Sequence, residues 1–290
     1  MPERTKAASL RNLIANGSVA MPGVPNAALA RQVERAGFSA LYISGAGLAN
    51  ATAGLPDIGL LGLTEVAQLA GYIAKAVKIP ALVDADTGFG GVESVARTIY
   101  ELERAGLGGC HLEDQEFPKR CGHLAGKTLI SIEDMADKIR AAVAARRDPD
   151  FLIIARTDAR AVEDFDRAVK RAQTYLEAGA DAIFPEALPS AEEFRTFARE
   201  VHAPLLANMT EFGKSPLLRL DELAELGYRM VIFPMSAFRV SMKASEQFLR
   251  ALKEQGTQIE WLNKMQTRQE LYAMLDYDPA AEQWPGYRGG

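Results

Sequence analysis

The chain has 290 residues, of which 48% are hydrophobic and 24% are charged, so it has ample apolar material for a buried core and is not an intrinsically disordered segment. Its 33 Lys and Arg residues against 38 Asp and Glu residues give a formal net charge of −5, which excludes a global positive field for nucleic acid or anionic lipid. No stretch approaches the ~18 consecutive apolar residues of a membrane helix, the first residues lack the apolar core of a secretory signal, and the two cysteines do not make a disulfide framework, so we expect a cytoplasmic protein.

In chain order, short apolar runs predict eight β-strands. A glycine just past a helical pattern precedes four of the runs, and glycine suits the left-handed position that closes a helix. These glycines are Gly37, Gly106, Gly179 and Gly227. The predicted strands cover residues 19–21, 41–43, 81–83, 110–112, 152–155, 182–184, 205–207 and 230–233.

The segments between these runs are predicted to be helices. Apolar residues recur at helical spacing over 66–77, behind the candidate N-cap Thr64. Ser131 and Ser190 each stand three residues before an acid, which is the spacing of a capping box. After the last strand we expect two more helical stretches, at 242–255 and 261–275, and then a tail over 279–290.

Strands that alternate with helices without a compositional break predict a TIM-type (β/α)8 barrel. We expect it to be a single domain over residues 1–290, with a C-terminal helical extension at about 241–278. A two-domain doubly wound sheet is the alternative, although no glycine-rich dinucleotide fingerprint supports it. The extension is more than a closed barrel needs, and it can pack on its own subunit or reach a neighbour.

Polar side chains are concentrated where the predicted strands end, which is where a barrel carries its chemistry. They are Ser44, Asp84, Asp86, Glu113, Asp114, Arg156, Asp158, Glu186, Asn208 and Thr210. Asp84 and Asp86, two apart on an extended strand, would point to the same side and suit a hard cation such as Mg²⁺. A lone Asp at a strand end more often caps the next helix, but acids at several strand ends favour a shared site.

The loop after the fourth strand carries a thiol in a basic setting. Lys119, Arg120 and His123 surround Cys121, and such neighbours lower a cysteine pKa and make the thiol a proton donor or nucleophile. The alternative is an inert surface cysteine. Cys110 and His111, inside an apolar run, are expected to be core residues.

Seven segments together resemble the isocitrate lyase and phosphoenolpyruvate mutase superfamily, in order and over nearly the whole chain. They are VDADTGFG (83–90), HLEDQ (111–115), KRCGH (119–123), ARTDA (155–159), FPEA (184–187), NMTEFGKSP (208–216) and QTRQELY (266–272). The KRCGH motif is similar to the lyase branch, and TEFGKSP and QTRQELY are most similar to the 2-methylisocitrate lyase family. The chain has no room for the inserted helical segments of isocitrate lyases themselves.

This resemblance implies a Mg²⁺-dependent lyase, with Mn²⁺ as a possible substitute, that cleaves 2-methylisocitrate to pyruvate and succinate in the methylcitrate route of propionate breakdown. It implies a metal held around Asp84 and Asp86, with Glu113 and Asp57 acting through water. Cys121 would protonate the carbanion on the succinate half, and Tyr42 is a candidate base for the hydroxyl proton, with a core tyrosine as the alternative.

The resemblance also implies a substrate site for a tricarboxylate. Its predicted residues are Ser44, Gly45, Ala46, Lys119, Arg120, Gly122, His123, Arg156, Glu186, Asn208, Thr210, Arg239 and Arg268. Ala46 stands where relatives commonly carry glycine, which leaves the choice of substrate open. Members of the superfamily usually exchange the eighth barrel helix between subunits and form tetramers, so we expect a homotetramer without a nucleic-acid or membrane partner.

Two other functions remain open from the sequence. One is a sibling enzyme of the same superfamily that acts on dimethylmalate or oxaloacetate. The other is a barrel that binds a small dicarboxylate without catalysis, although the cysteine and both aspartates speak against it.

Overall fold

The computed structural model describes residues 4–124 and 126–281, and every predicted strand is present. The strands are β1 (Val19–Pro22), β2 (Leu41–Ile43), β3 (Ala81–Asp84), β4 (Gly109–Glu113), β5 (Leu152–Thr157), β6 (Ala182–Pro185), β7 (Leu205–Asn208) and β8 (Tyr228–Phe233). They form one eight-stranded parallel sheet in which each strand from β2 to β8 pairs with the next and β8 pairs with β1. A single bridge between Gly23 and Tyr42 links β1 to β2, so the sheet is a nearly closed barrel. The prediction of a TIM-type (β/α)8 barrel is therefore confirmed against the doubly wound alternative.

Helices separate the strands and surround the barrel. They are α1 (Lys6–Asn16), α2 (Ala27–Arg35), α3 (Gly45–Leu48), α4 (Leu63–Ala76), α5 (Val92–Arg104), α6 (Ile132–Ala145), α7 (Ala159–Val162), α8 (Phe165–Glu177), α9 (Ala191–Glu200), α10 (Leu220–Glu225), α11 (Ser236–Gln255) and α12 (Arg268–Met274). A π-helical turn (Ala49–Ala53) follows α3, and a 3₁₀ helix (Ile259–Lys264) precedes α12.

The predicted helix ends are mostly confirmed. The four joint glycines all adopt positive φ, from 88° at Gly106 to 105° at Gly179, as the closing position of a helix requires. Ser131 and Ser190 accept hydrogen bonds from the backbone N–H groups three residues on, at 3.0 and 3.2 Å. Thr64 is not an N-cap, because α4 begins one residue earlier and its capping position is Gly62.

The apolar core has two layers. One fills the barrel interior with side chains such as Met21, Leu82, Ile154, Phe184 and Met230, all fully buried. The other lies between the outer face of the sheet and the helices. Each large side chain in these layers contributes roughly 1.5–3 kcal/mol by leaving water. Because apolar side chains fill most of the interior, the buried acidic and basic residues of the strands lie at their carboxyl ends, apart from His111 in the middle of β4.

The C-terminal extension differs from the other helices in its packing. The predicted helix at 242–255 is part of α11, which already begins at Ser236 and has no buried residue in the described chain. The second predicted stretch is divided into the 3₁₀ helix and α12, which packs against α2 through Arg35 and its hydrogen bond to the Ala273 carbonyl at 2.7 Å. Of the predicted tail, residues 282–290 lie outside the described residues. None of the described helices has both the length and the apolar character that a membrane crossing requires.

Candidate active site

The carboxyl ends of the central strands bring a group of buried charged side chains to one mouth of the barrel. Asp84 ends β3, Glu113 ends β4, Arg156 lies near the end of β5 and Glu186 directly follows β6. Each is at most 7% exposed. Glu113 and Arg156 are direct partners in the register of β4 and β5, so parallel pairing places their side chains together. The mouth is therefore the candidate active site.

Two of the predicted metal ligands converge beside Gly45. Its backbone N–H donates to Asp84 Oδ2 at 3.2 Å, and a Cβ at this glycine would lie 3.4 Å from Asp86 Oδ1. The sequence spacing predicted that both carboxylates would point to the same side of one extended strand. The structure brings them together in a different way. Asp86 lies beyond β3 with a left-handed φ of 46°, and its N–H donates to Asp84 Oδ1 at 3.0 Å. The left-handed turn at Asp86 therefore directs its carboxylate toward Asp84 and Gly45.

Lys119 joins Asp57 to this pair. Its Nζ lies 2.7 Å from Asp86 Oδ1 and also donates to the Asp57 carboxylate. Burial raises the pKa of Asp86 to about 6, with Lys119 opposing the shift and Asp84 adding to it. One lysine therefore does not balance the negative charge of this cluster.

Glu113 is the least satisfied acid at the mouth. Both of its carboxylate oxygens are buried without a hydrogen-bond partner, although Arg156 Nη1 lies 3.3 Å from Oε2. Burial raises its pKa well above the ordinary value despite the charges of Arg156 and Lys119. Buried oxygens that lack partners are costly unless another group satisfies them.

These acids fit a divalent cation that is only partly enclosed by protein. Within 4–124 and 126–281, no three His, Cys, Asp or Glu side chains surround a common point closely enough to hold a metal. Two converging carboxylates and one unpartnered carboxylate match Mg²⁺, which keeps several waters and takes one or two protein carboxylates. The donor set is all oxygen, which also suits Mn²⁺.

Arg156 contacts two carboxylates besides that of Glu113. Asp158 accepts from its Nε at 3.0 Å and from its Nη2 at 3.2 Å, and Glu186 Oε2 lies 3.4 Å from Nη2. The guanidinium also stands 5.1 Å from the centre of the Phe184 ring. These contacts fix Arg156 at the mouth, with the fully buried ring of Phe184 below it.

The loop from Cys121 to His123 lies directly on these groups. A Cβ at Gly122 would be 2.4 Å from Arg156 Nη2 and 2.5 Å from Glu186 Cγ, so only glycine fits this close approach. His123 Nε2 lies 3.1 Å from Glu186 Oε1, and its Nδ1 accepts from the Lys214 N–H at 2.9 Å. The structure therefore brings Gly122, His123 and Glu186 together as one surface.

The expected lowering of the Cys121 pKa is wrong. Burial raises the pKa of this half-buried thiol, and only weaker effects, such as a hydrogen bond to the His123 backbone, oppose it. The neighbouring cations face elsewhere, because Lys119 pairs with Asp57 and Asp86 while Arg120 is exposed. The thiol therefore carries its proton at neutral pH, which suits a donor better than a nucleophile.

Tyr42 and His111 form a buried pair that the sequence did not predict. The hydroxyl of Tyr42 lies 2.7 Å from His111 Nε2, and that nitrogen is 3.7 Å from Asp84 Oδ1. Burial lowers the pKa of His111 to about 4, so the imidazole is neutral at pH 7. Burial, followed by the charge of Asp84, raises the pKa of Tyr42 well above its ordinary value. Cys110 is buried in the core as expected, but His111 touches the site.

The remaining predicted residues divide into two groups. Ser44 is buried as the N-cap of α3, which also carries Ala46, and Asn208 donates to Glu186 Oε2 at 3.2 Å. Thr210 lies with His123 against Gly213. These residues surround the mouth.

The two outer arginines are not brought to Arg156 within this chain. Arg239 is exposed and lies 3.4 Å from Glu211. Arg268 begins α12 on the outer ring and is exposed there.

The chain is similar in sequence and in structure to several known enzymes. The family model described as phosphoenolpyruvate phosphomutase matches residues 10–253. A 2-methylisocitrate lyase from Aeropyrum pernix is 57% identical over 269 residues, which cover 92% of this chain and 86% of that protein. Among solved structures, a 2,3-dimethylmalate lyase of the PEP mutase/isocitrate lyase superfamily is similar with a TM-score of 0.89 and 38% identity, covering 94% of this chain and 92% of that one. A phosphonopyruvate hydrolase in complex with oxalate and Mg²⁺ has a TM-score of 0.85 and 31% identity, covering 93% of this chain and 95% of that one.

Proposed function

The chain belongs to the phosphoenolpyruvate phosphomutase family, and from this premise we propose that it is a carbon–carbon lyase that cleaves 2-methylisocitrate to pyruvate and succinate. The observation that carries the proposal is the meeting of the paired carboxylates Asp84 and Asp86 with Arg156 beneath the cysteine loop. The proposed setting is the methylcitrate route of propionate breakdown, in the cytoplasm.

The proposed metal is Mg²⁺, with Mn²⁺ as a substitute. Asp84 and Asp86 would hold it, and Asp57 and Glu113 would act through water. The converging oxygens of Asp84 and Asp86 and the unpartnered oxygens of Glu113 support this assignment, as does the similar phosphonopyruvate hydrolase with oxalate and Mg²⁺. When bound, the divalent ion supplies positive charge beside the oxygen that becomes a carbonyl.

The protein's own groups would bind the substrate and move two protons. Arg156, already oriented by Asp158, offers a fixed guanidinium to a substrate carboxylate. Lys119, Gly45 and Asn208 border the same space, and Arg120, Arg239 and Arg268 are proposed to add charge at its rim or from a neighbouring subunit. Cys121, whose raised pKa keeps the thiol protonated, would donate to the carbanion on the succinate half.

The hydroxyl proton needs an acceptor, for which Tyr42 is the proposed group. In the metal-free protein its phenol keeps its proton, because burial and Asp84 raise its pKa. A base role therefore requires a nearby cation to lower that pKa. The neutral imidazole of His111, whose Nε2 lies 2.7 Å from the hydroxyl, would orient the phenol for this step.

Tetramer formation by helix exchange is proposed from the packing of the C-terminal extension. An apolar cavity of about 490 Å³ lies against β1 and β8, lined by residues such as Val33, Phe38, Leu220 and Phe233. The helix after β8 would cover this surface in a closed barrel. Here α11 has no buried residue, so a second copy of the chain is the proposed occupant.

A substrate panel with a coupled pyruvate assay tests the function. We expect pyruvate from 2-methylisocitrate at a rate far above that of glyoxylate from isocitrate or of pyruvate from 2,3-dimethylmalate. Dimethylmalate is included because a similar solved structure is a 2,3-dimethylmalate lyase, and turnover of that compound alone would reassign the substrate.

A cysteine variant tests the mechanism in the same assay. Cys121→Ser should lower kcat by at least about a hundredfold while substrate binding stays measurable, since general acid catalysis is worth about 10²–10⁴. Cys121→Ser with the wild-type rate would remove the thiol from the proposed mechanism. A protein that binds but converts none of the panel would instead be a non-catalytic barrel.

A further inference from the structure

A fully buried lysine lies beneath the cysteine loop and belongs to none of the groups assigned above. The side chain of Lys127 is 1% exposed, and its Nζ lies 2.6 Å from Oδ1 of Asp158, whose side chain is 0% exposed. The same Nζ donates to the carbonyl oxygen of Gly122. Lysine is almost never buried without a partner, so these two contacts account for its position.

Asp158 connects this lysine to the substrate arginine. Its two carboxylate oxygens accept from Lys127 and from Arg156 Nε and Nη2. Its backbone N–H donates to Asp114 Oδ1 at 2.9 Å, and that acid also accepts from Thr157 Oγ1 at 2.7 Å. These hydrogen bonds fix the position of Asp158, so Lys127, which is bound to Asp158, is also fixed relative to Arg156.

Lys127 contacts the cysteine loop at the carbonyl oxygen of Gly122. Gly122 stands between Cys121 and His123, and the space at its Cα is closed by Arg156 and Glu186. Rotation of the peptide after Gly122 would break its bond to Lys127 and shift both neighbours. The glycine has no side chain to hold it, so the lysine supplies the missing contact.

We propose that Lys127 is a positioning residue that, by bridging the Gly122 carbonyl and Asp158, fixes the Cys121 thiol over the substrate arginine. The consequence for the reaction rests on the proposed function, in which Cys121 is the proton donor. The placement of the thiol does not rest on it, and the two are measured separately.

Thiol labelling measures the placement. The sequence contains only two cysteines, and Cys110 is fully buried, so mass spectrometry of the native protein after iodoacetamide treatment reports Cys121. Lys127→Met should label Cys121 at least about tenfold faster than wild type. Loss of a nearby cation would by itself raise the thiol pKa and slow labelling, so faster labelling identifies release of the loop. Cys110 should stay unlabelled, which confirms the fold.

Lys6→Met is the matched control. Lys6 also donates to backbone carbonyls, at Ala74 and Val77, but these precede β3 at the opposite end of the barrel. This variant should label Cys121 and turn over substrate as wild type does. In the pyruvate assay Lys127→Met should lose about a hundredfold in kcat with a smaller change in KM, since a misplacement of about 1 Å can cost that much.

The outcomes separate the two proposals. Labelling of Lys127→Met at the wild-type rate overturns the positioning role, whatever the activity. Faster labelling in a protein whose wild type makes no pyruvate keeps the positioning role and removes the proposed function. If Lys127→Met does not fold, Lys127→Gln replaces it; its amide is one atom too short to bridge both partners, so labelling no faster than wild type would again overturn the proposal.

Discussion

Asp86 gives the sharpest prediction, because its carboxylate should destabilise the protein until a divalent cation is present. Its folded-state pKa of about 6 lies above the unfolded value of 3.8, since burial, opposed by Lys119 and assisted by Asp84, favours the protonated form. The stability from this group is fully present below about pH 4 and is lost as the pH rises through about 6. At pH 7.5 the loss is about 3 kcal/mol, because a tenfold change in proton affinity corresponds to about 1.4 kcal/mol.

Thermal unfolding in EDTA checks this magnitude. Asp86→Asn should be more stable than wild type by up to about 3 kcal/mol at pH 7.5 and by much less near pH 4. Addition of Mg²⁺ should raise the Tm of wild type and not that of Asp86→Asn. The control is Asp158→Asn, which should lose stability in EDTA, because Arg156 and Lys127 outweigh burial and lower the pKa of Asp158. Asp86→Asn that is no more stable than wild type in EDTA, or that still gains Tm from Mg²⁺, would refute the reasoning.

Two further predictions concern packing. Gly122→Ala should lower kcat by about tenfold or more without loss of the fold, because its Cβ would lie 2.4 Å from Arg156 Nη2; Gly91→Ala, where a Cβ meets nothing within 4 Å, is the control, and equal rates for the two variants would contradict the close approach. Val240→Glu, on the exposed face of α11, should shift the oligomer toward monomer, as measured by light scattering. Val92→Glu, on the exposed face of α5, is the control and should leave the mass unchanged at the same protein concentration. An unchanged mass for Val240→Glu would remove α11 from the proposed interface.

The barrel could be predicted from local signals. Gly37 and Gly227 close helices in the left-handed conformation, and the apolar runs behind them are the strands. Each of these signals is complete within about ten residues. Polar residues at the run ends then fall at one mouth, because parallel strands share a carboxyl edge.

The electrostatics of the mouth could not be predicted in the same way. The basic residues around Cys121 suggested a lowered thiol pKa, but folding turns Lys119 toward Asp57, 62 residues away in the chain. Asp158 was predicted only as one of several polar residues at strand ends, and Lys127 was not predicted at all, because their pairing depends on both side chains being buried side by side. Local charge spacing does not report which way a long side chain points or how much water it loses.

The charges at the mouth also explain why the proposed metal and substrate belong together. Six carboxylates face or support the site: Asp57, Asp84, Asp86, Glu113, Asp158 and Glu186. Three cations oppose them: Lys119, Lys127 and Arg156. Fully ionised, the mouth carries three excess negative charges and would repel a tricarboxylate. The proposed divalent ion beside Asp84 and Asp86 would neutralise two of these charges, and the raised pKa of Glu113 would allow a proton to neutralise the third. Binding of a trianionic substrate therefore does not require a pocket lined mainly by basic residues. An acidic pocket can accept it once a bound cation has neutralised the excess negative charge.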